Sequence, residues 1–182
     1  DLALNMLAYS GGSVTDLDVE KVRTLARHLK FKDAAALADP KPSRGVVRRL
    51  LDKYGFAASK FILAKLRTFA KQNGKKLLVV VFDNFGVLRE VVEGKPRTDQ
   101  EIIDYLAQEN FLTFDMNLVH ADDFKKNFKV SYEDYWKRYF IGHYNPAGNH
   151  FFAYAIKDTV VRWLNPKPIT YQNNSQPWIT FD

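Results

Sequence analysis

No cysteine occurs among the 182 residues, which removes disulfides and thiolate chemistry and leaves cytosol, periplasm and exterior all open as compartments. No stretch approaches the roughly 20 consecutive apolar residues a bilayer span needs. The first residues also lack a charged segment followed by an apolar one, so nothing directs the chain to a membrane, and it reads as a soluble protein compatible with a periplasmic or secreted life. Internal repeats and low-complexity segments are absent. So is any helix-turn-helix, zinc or RNA-recognition motif. His28 and His120 have no neighbours at metal-ligand spacing, and no metal or organic cofactor is implied.

What is present is the composition of a globular domain. Hydrophobic residues make up 46% and aromatics 14%, enough for one domain over 1–182 that buries roughly two-thirds of its unfolded surface. The net charge of +6 is unevenly spread: Glu20 to Lys76 holds 16 Lys/Arg against four Asp/Glu. Those cations are distributed through helical patterns with little aromatic interleaving, which favours solvated helix faces over an anionic ligand and makes nucleic acid the least favoured partner.

The apolar periodicity predicts a helix from about Leu17 to Leu29, after a Ser/Gly-rich loop over Asn5 to Val14. Asp39-Pro40-Lys41-Pro42-Ser43 breaks the chain. A second helical region follows over Val46 to Tyr54 and Phe56 to Gln72, with Phe56, Phe61, Ala64, Leu66 and Phe69 on its apolar side and Asn73-Gly74 as its stop. Leu77 to Phe82 is apolar at every position, the pattern of a central parallel strand covered on both faces. Thr98 to Glu101 forms a capping box for a helix through Leu106, Phe111 to Met116 reads as a strand, and Tyr171 to Phe181 as a tail able to add an edge strand. Asn145 as cap and Pro146 at the first helical position open a last helix that runs to about Leu164. This order predicts an α/β fold, a three-layer α/β/α sandwich with a mostly parallel, flavodoxin-like sheet. Residues 15–45 read as a helical insertion or cap, and 165–182 as a C-terminal tail.

Chemistry concentrates in Phe140 to His150. His143 stands two residues before an Asn-Pro helix start, in a loop able to aim an imidazole at a nucleophile from elsewhere. Asp83 and Asp115 sit at strand ends, where α/β sheets gather reactive groups, although capping a loop or a following helix is the simpler role for each.

Gly142-His143-Tyr144-Asn145-Pro146-Ala147-Gly148-Asn149, followed by Phe152-Ala153-Tyr154-Ala155-Ile156, resembles the last block of the SGNH/GDSL hydrolases. That block reads Asp-Gly-His-x-Asn-Pro-x-Gly-x and runs into an amphipathic helix. The arrangement of helix, strand, helix and strand before it is also similar, so the resemblance covers about residues 46–164. It implies the same flavodoxin-like sandwich and serine ester hydrolysis without a cofactor, with His143 taking the serine proton and returning it to the leaving alcohol. The substrate would be a small-molecule or polysaccharide ester.

Two departures accompany the resemblance. The family's Gly-Asp-Ser nucleophile block is absent, and Ser10, Ser13, Ser43 and Ser59 do not follow a Gly-Asp pair, so the expectation is a nucleophile from a segment upstream of Asp1. Gly12, within Ser10-Gly11-Gly12-Ser13, is a candidate remnant of an oxyanion loop. Phe140 and Ile141 occupy the positions of the triad acid. The expectation is therefore either a Ser-His pair supported by a backbone carbonyl, or a substitute acid in Asp83 or Asp115. The competing reading is a catalytically inactive module on the same scaffold that recognises carbohydrate.

Overall fold

A computed structural model describes residues 19–38 and 44–165. Their elements, in chain order, are α1 (Val19–His28), a 3₁₀ turn (Ala34–Ala38), α2 (Arg44–Gln72), β1 (Val79–Val81), α3 (Val87–Val92), α4 (Gln100–Gln108), β2 (Thr113–Asp115), α5 (Met116–Asn127), α6 (Tyr132–Tyr139) and α7 (Pro146–Leu164). The chain groups into two compact units. The first takes the described residues up to Val79 together with Pro96–Thr113, and the second takes Val80–Lys95 together with the chain from Phe114 onward.

The first unit is helical. Val22 and Ala26 lie one turn apart on α1 and are buried with Leu37 of the 3₁₀ turn and Val46 and Leu50 of α2. The second helical region is a single helix, α2 running unbroken through Gly55 for 29 residues. A lone glycine weakens a helix by about 1 kcal/mol, too little to end one anchored by packing at its start. Asn73-Gly74 is the stop: Gly74 has φ +59°, and the Lys75 N–H closes on the Ala70 carbonyl at 2.8 Å. The predicted apolar side of α2 is covered only in part. Phe56 and Ala64 are half-buried, while Phe61, Leu66 and Phe69 are exposed. Glu101 of α4 receives Lys53 and Lys60 of α2, each at 2.7 Å, and Arg67 reaches Glu109 at 2.7 Å. The α4 helix begins one residue after Asp99, with no side-chain cap at its start.

The second unit has an aromatic core. Leu88, Tyr135, Tyr139 and Phe140 are buried, and Phe82, Phe124, Phe128, Trp136, Tyr144 and Phe151 pack around them. Serine caps α6, the Ser131 hydroxyl accepting the Asp134 N–H at 3.1 Å, and the helix turns Tyr135 and Tyr139 inward at i,i+4 spacing. Met116, Asn117, His120 and Ala121 form the buried stripe of α5. Neither helix was predicted, because polar and hydroxyl-bearing residues occupy their inward positions and blur the apolar period.

The three-layer sandwich is overturned. The described residues are mostly helical, and β1 and β2 form a two-stranded parallel sheet. Of the predicted strand Leu77 to Phe82 only Val79–Val81 pairs, with Val80 40% exposed, and of Phe111 to Met116 only Thr113–Asp115 pairs. A short apolar run does not by itself say how many neighbours it will find, and covering both faces of a strand takes a wider sheet than two strands provide. The Tyr171 to Phe181 tail and the Asn5 to Val14 loop lie outside the described residues.

Candidate active site

His143 stands in the six-residue connection between α6 and α7, within a stretch from Phe140 to Tyr144 whose two ends are tied together. Phe140 and Tyr144 form an antiparallel bridge, and the Ile141 N–H donates to the His143 carbonyl at 2.8 Å. Closing so tight a loop requires a left-handed residue, and Gly142 supplies it with φ +95°. Asn145 then does two jobs. Its Oδ1 accepts the Gly148 N–H at 2.9 Å to cap α7, and its Nδ2 donates to the Arg138 carbonyl at 2.9 Å, tying the helix start to the end of α6. Gly148 is buried because Tyr144 and the Tyr139 carbonyl occupy the space a side chain would need.

Within this frame the His143 imidazole is exposed, and its Nδ1 lies 2.8 Å from the Tyr144 carbonyl oxygen. A carbonyl can only accept, so Nδ1 carries a hydrogen, and in the neutral ring the lone pair is then on Nε2. Among the described residues nothing hydrogen-bonds to Nε2. That neutral tautomer is the one a general base needs.

The loop after β1 lies against the histidine loop. Asn84, buried, donates from Nδ2 to the Gly142 carbonyl at 3.3 Å, and the Trp136 indole N–H donates to the Asn84 carbonyl at 2.9 Å. Asp83 caps the loop that leads into α3, its carboxylate accepting the Phe85 N–H at 2.8 Å and the Gly86 and Val87 N–H groups at 3.4 Å. Asp115 caps α5 through the Asn117 N–H at 2.9 Å. Asn117 links the two strand ends, accepting the Asp83 N–H at 3.1 Å and donating to Asp115 at 3.1 Å. The structure thus joins Asp83 to Asp115 through one asparagine, and neither carboxylate is a hydrogen-bond partner of His143. Phe140 is buried in the core, Ile141 is 66% exposed beside the histidine, and Gly12 falls outside the described residues.

One group escaped the sequence reading. His120 is fully buried, with Nδ1 2.8 Å from the Tyr135 hydroxyl and Nε2 2.8 Å from the Tyr144 hydroxyl. Tyr135 and Tyr139 both reach Asp123 Oδ2, at 3.1 and 3.2 Å. Burial pulls the His120 pKa down to about 4 against the weaker pull of Asp123, so the ring is neutral at pH 7. The same burial pushes the Tyr144 hydroxyl well up, and Tyr135 further still. With His120 neutral, one pattern that satisfies both ring nitrogens has His120 Nδ1–H donating to Tyr135 and Tyr144 donating to His120 Nε2, with the Tyr135 hydroxyl proton in reach of both the His120 carbonyl at 3.0 Å and Asp123 Oδ2 at 3.1 Å. The sequence signal for it was the helical spacing of Met116, His120 and Phe124, legible only once α5 is recognised.

The basic segment keeps much of its charge in pairs, Arg49 with Asp33, Arg48 with Asp52, and Lys53 and Lys60 with Glu101. A cavity of about 400 Å³ there is lined by Phe31, Lys32, Arg49, Lys53, Phe56 and Glu101 among others, all from the first unit. Among the described residues no helix is long and apolar enough to cross a membrane, and no three His, Asp or Glu side chains are grouped to hold a metal ion. No protein-family model, curated protein or solved structure matches the chain.

Proposed function

We propose that the second unit carries the general-base half of a serine ester hydrolase of the SGNH type, with His143 as the base and the serine outside the described residues. The observation that carries this reading is the Nδ1–H bond from the exposed His143 side chain to the Tyr144 carbonyl, which in the neutral ring puts the lone pair on Nε2. In the reaction Nε2 removes the serine proton as the hydroxyl oxygen bonds to the ester carbonyl carbon. The resulting imidazolium returns that proton to the leaving alcohol as the carbon–oxygen bond breaks. Water then repeats the sequence on the acyl-enzyme. The Tyr144 carbonyl oxygen carries partial negative charge toward the Nδ1–H throughout, stabilising the imidazolium where the family's carboxylate would otherwise stand.

The test is hydrolysis of p-nitrophenyl acetate by the protein its complete reading frame encodes, with and without His143→Ala. General-base removal lowers kcat/KM by about 10²- to 10⁴-fold. A fluorophosphonate probe then locates the serine, since it labels only an activated hydroxyl. Equal hydrolysis by the two proteins removes His143 from the chemistry.

A second reading is favoured by Phe85, which is 65% exposed beside Trp136 at a ring separation of 6.3 Å and offers an aromatic face next to the Asn84 contact. Such a face suits a sugar ring, and an inactive carbohydrate-binding module would use it. Saturable retention on acetylated xylan that Phe85→Ala abolishes, without any ester cleavage, would favour this module over the hydrolase.

A further inference from the structure

Tyr144 touches His143 at one end and the buried cluster at the other. Its carbonyl accepts the His143 Nδ1–H, and its hydroxyl lies 2.8 Å from His120 Nε2. Between them its ring is clamped, stacked on Phe82 at 5.0 Å and 2° and on Phe140 at 4.9 Å, with the helix backbone at Gly148 closing the edge. A ring held by stacking can still slide in its plane, and the hydroxyl bond is the contact that stops it. His120 is itself held by Tyr135, and Tyr135 by the Asp123 carboxylate.

We propose that His120 is a positioning residue: through the Tyr144 hydroxyl it fixes the carbonyl that holds His143 in its Nδ1–H form. The chain Asp123, Tyr135, His120, Tyr144 thereby takes the role of the triad carboxylate, whose positions are filled by Phe140 and Ile141. None of these four residues touches substrate. As regards catalysis the inference rests on His143 being the general base, whereas the geometric link does not. A buried, neutral histidine suits the role because it accepts at one nitrogen while donating at the other.

The experiment reads the ring nitrogens of His143 directly. Two-bond ¹H–¹⁵N correlation spectra of the ¹⁵N-labelled chain, recorded at alkaline pH, distinguish Nδ1–H from Nε2–H, with the signals assigned by their loss in His143→Gln. The wild-type ring is expected in the Nδ1–H form. Tyr144→Phe and His120→Leu each cut the link and are expected to convert His143 to the mixed tautomers of a free side chain, with kcat lower by about tenfold to hundredfold at unchanged KM. His120→Gln keeps an acceptor for the Tyr144 hydroxyl and is expected to restore the Nδ1–H form. Tyr139→Phe removes a hydrogen bond to Asp123 without touching Tyr144 and is expected to leave His143 unchanged.

An Nδ1–H ring that persists in Tyr144→Phe and His120→Leu overturns the inference, as does a Tyr139→Phe effect of equal size, which would mean general damage to the core. Should the two cutting variants not fold, His120→Gln decides alone: loss of the Nδ1–H form there overturns it. The spectra need no turnover, so the two claims separate. Hydrolysis that ignores His143→Ala alongside the expected spectra sinks the catalytic reading only, and His143-dependent hydrolysis with unaltered Tyr144→Phe spectra sinks the positioning only.

Discussion

Replacing Gly148 by alanine tests the close approach on which the histidine loop is built. A Cβ at this position would lie 2.3 Å from Tyr144 Cδ1 and 2.4 Å from the Tyr139 carbonyl oxygen, where ordinary contacts begin near 3.4 Å. Something must therefore move by about 1 Å, and neither neighbour is free to do so. The Tyr144 ring is stacked on Phe82 and Phe140 and bonded to His120, and the Tyr139 carbonyl accepts the Asn145 N–H at 2.9 Å. Overpacking of this kind costs about 1–3 kcal/mol, and the helix-propensity gain of glycine to alanine offsets at most about 1 kcal/mol of it. A net loss of about 1 kcal/mol lowers Tm by about 2–4 °C in a chain of this size. Gly55, in the middle of α2, is the internal control. It is exposed with nothing within 4 Å of its would-be Cβ, so Gly55→Ala is expected to stabilise by about 1 kcal/mol through propensity alone. Thermal and urea unfolding followed by circular dichroism reads both variants. A Gly148→Ala protein that melts at or above the wild type, while Gly55→Ala behaves as expected, would refute the packing described around the loop.

Stability is expected to fall with acid because of His120, whose folded pKa of about 4 lies below its ordinary 6.5. Between those values the unfolded chain binds the proton that the folded chain refuses. The contribution is present above about pH 6.5 and is lost as pH falls toward about 4, some ~3 kcal/mol in all. Urea midpoints across that window, with His120→Leu lacking the slope, check it, and identical slopes in the two proteins would discount His120. Tyr132 buries a hydroxyl with no hydrogen-bond partner among the described residues, and burial pushes its pKa up to about 12. Tyr132→Phe keeps the ring and discards the orphaned oxygen, so it is expected to be at least as stable as the wild type, by up to about 1 kcal/mol. A loss exceeding about 1 kcal/mol would mean that the hydroxyl is bonded after all.

Local chemistry was legible in the residues themselves. Asn145 and Pro146 open α7 and the helix ends at Leu164, both as expected from capping preferences that act within one turn. Asp83 and Asp115 take the capping geometry that was the simpler of their two roles, because a carboxylate two to four residues from free N–H groups needs no distant partner. The Asn73-Gly74 stop of α2 has the same origin. Tertiary structure decided the rest. The extent of the sheet was not legible, because a short apolar run such as Leu77 to Phe82 does not say how many neighbours it will find, and only β2 joins β1 among the described residues. His120 has no local mark of burial; its hydroxyl partners stand 15 and 24 residues away on other elements. The sequence determined where His143 stands in its loop, since glycine, asparagine and proline act through their own backbone torsions. Which nitrogen of that ring is free depends on how the Tyr144 carbonyl is oriented, and that orientation exists only when residues remote in sequence are packed around it.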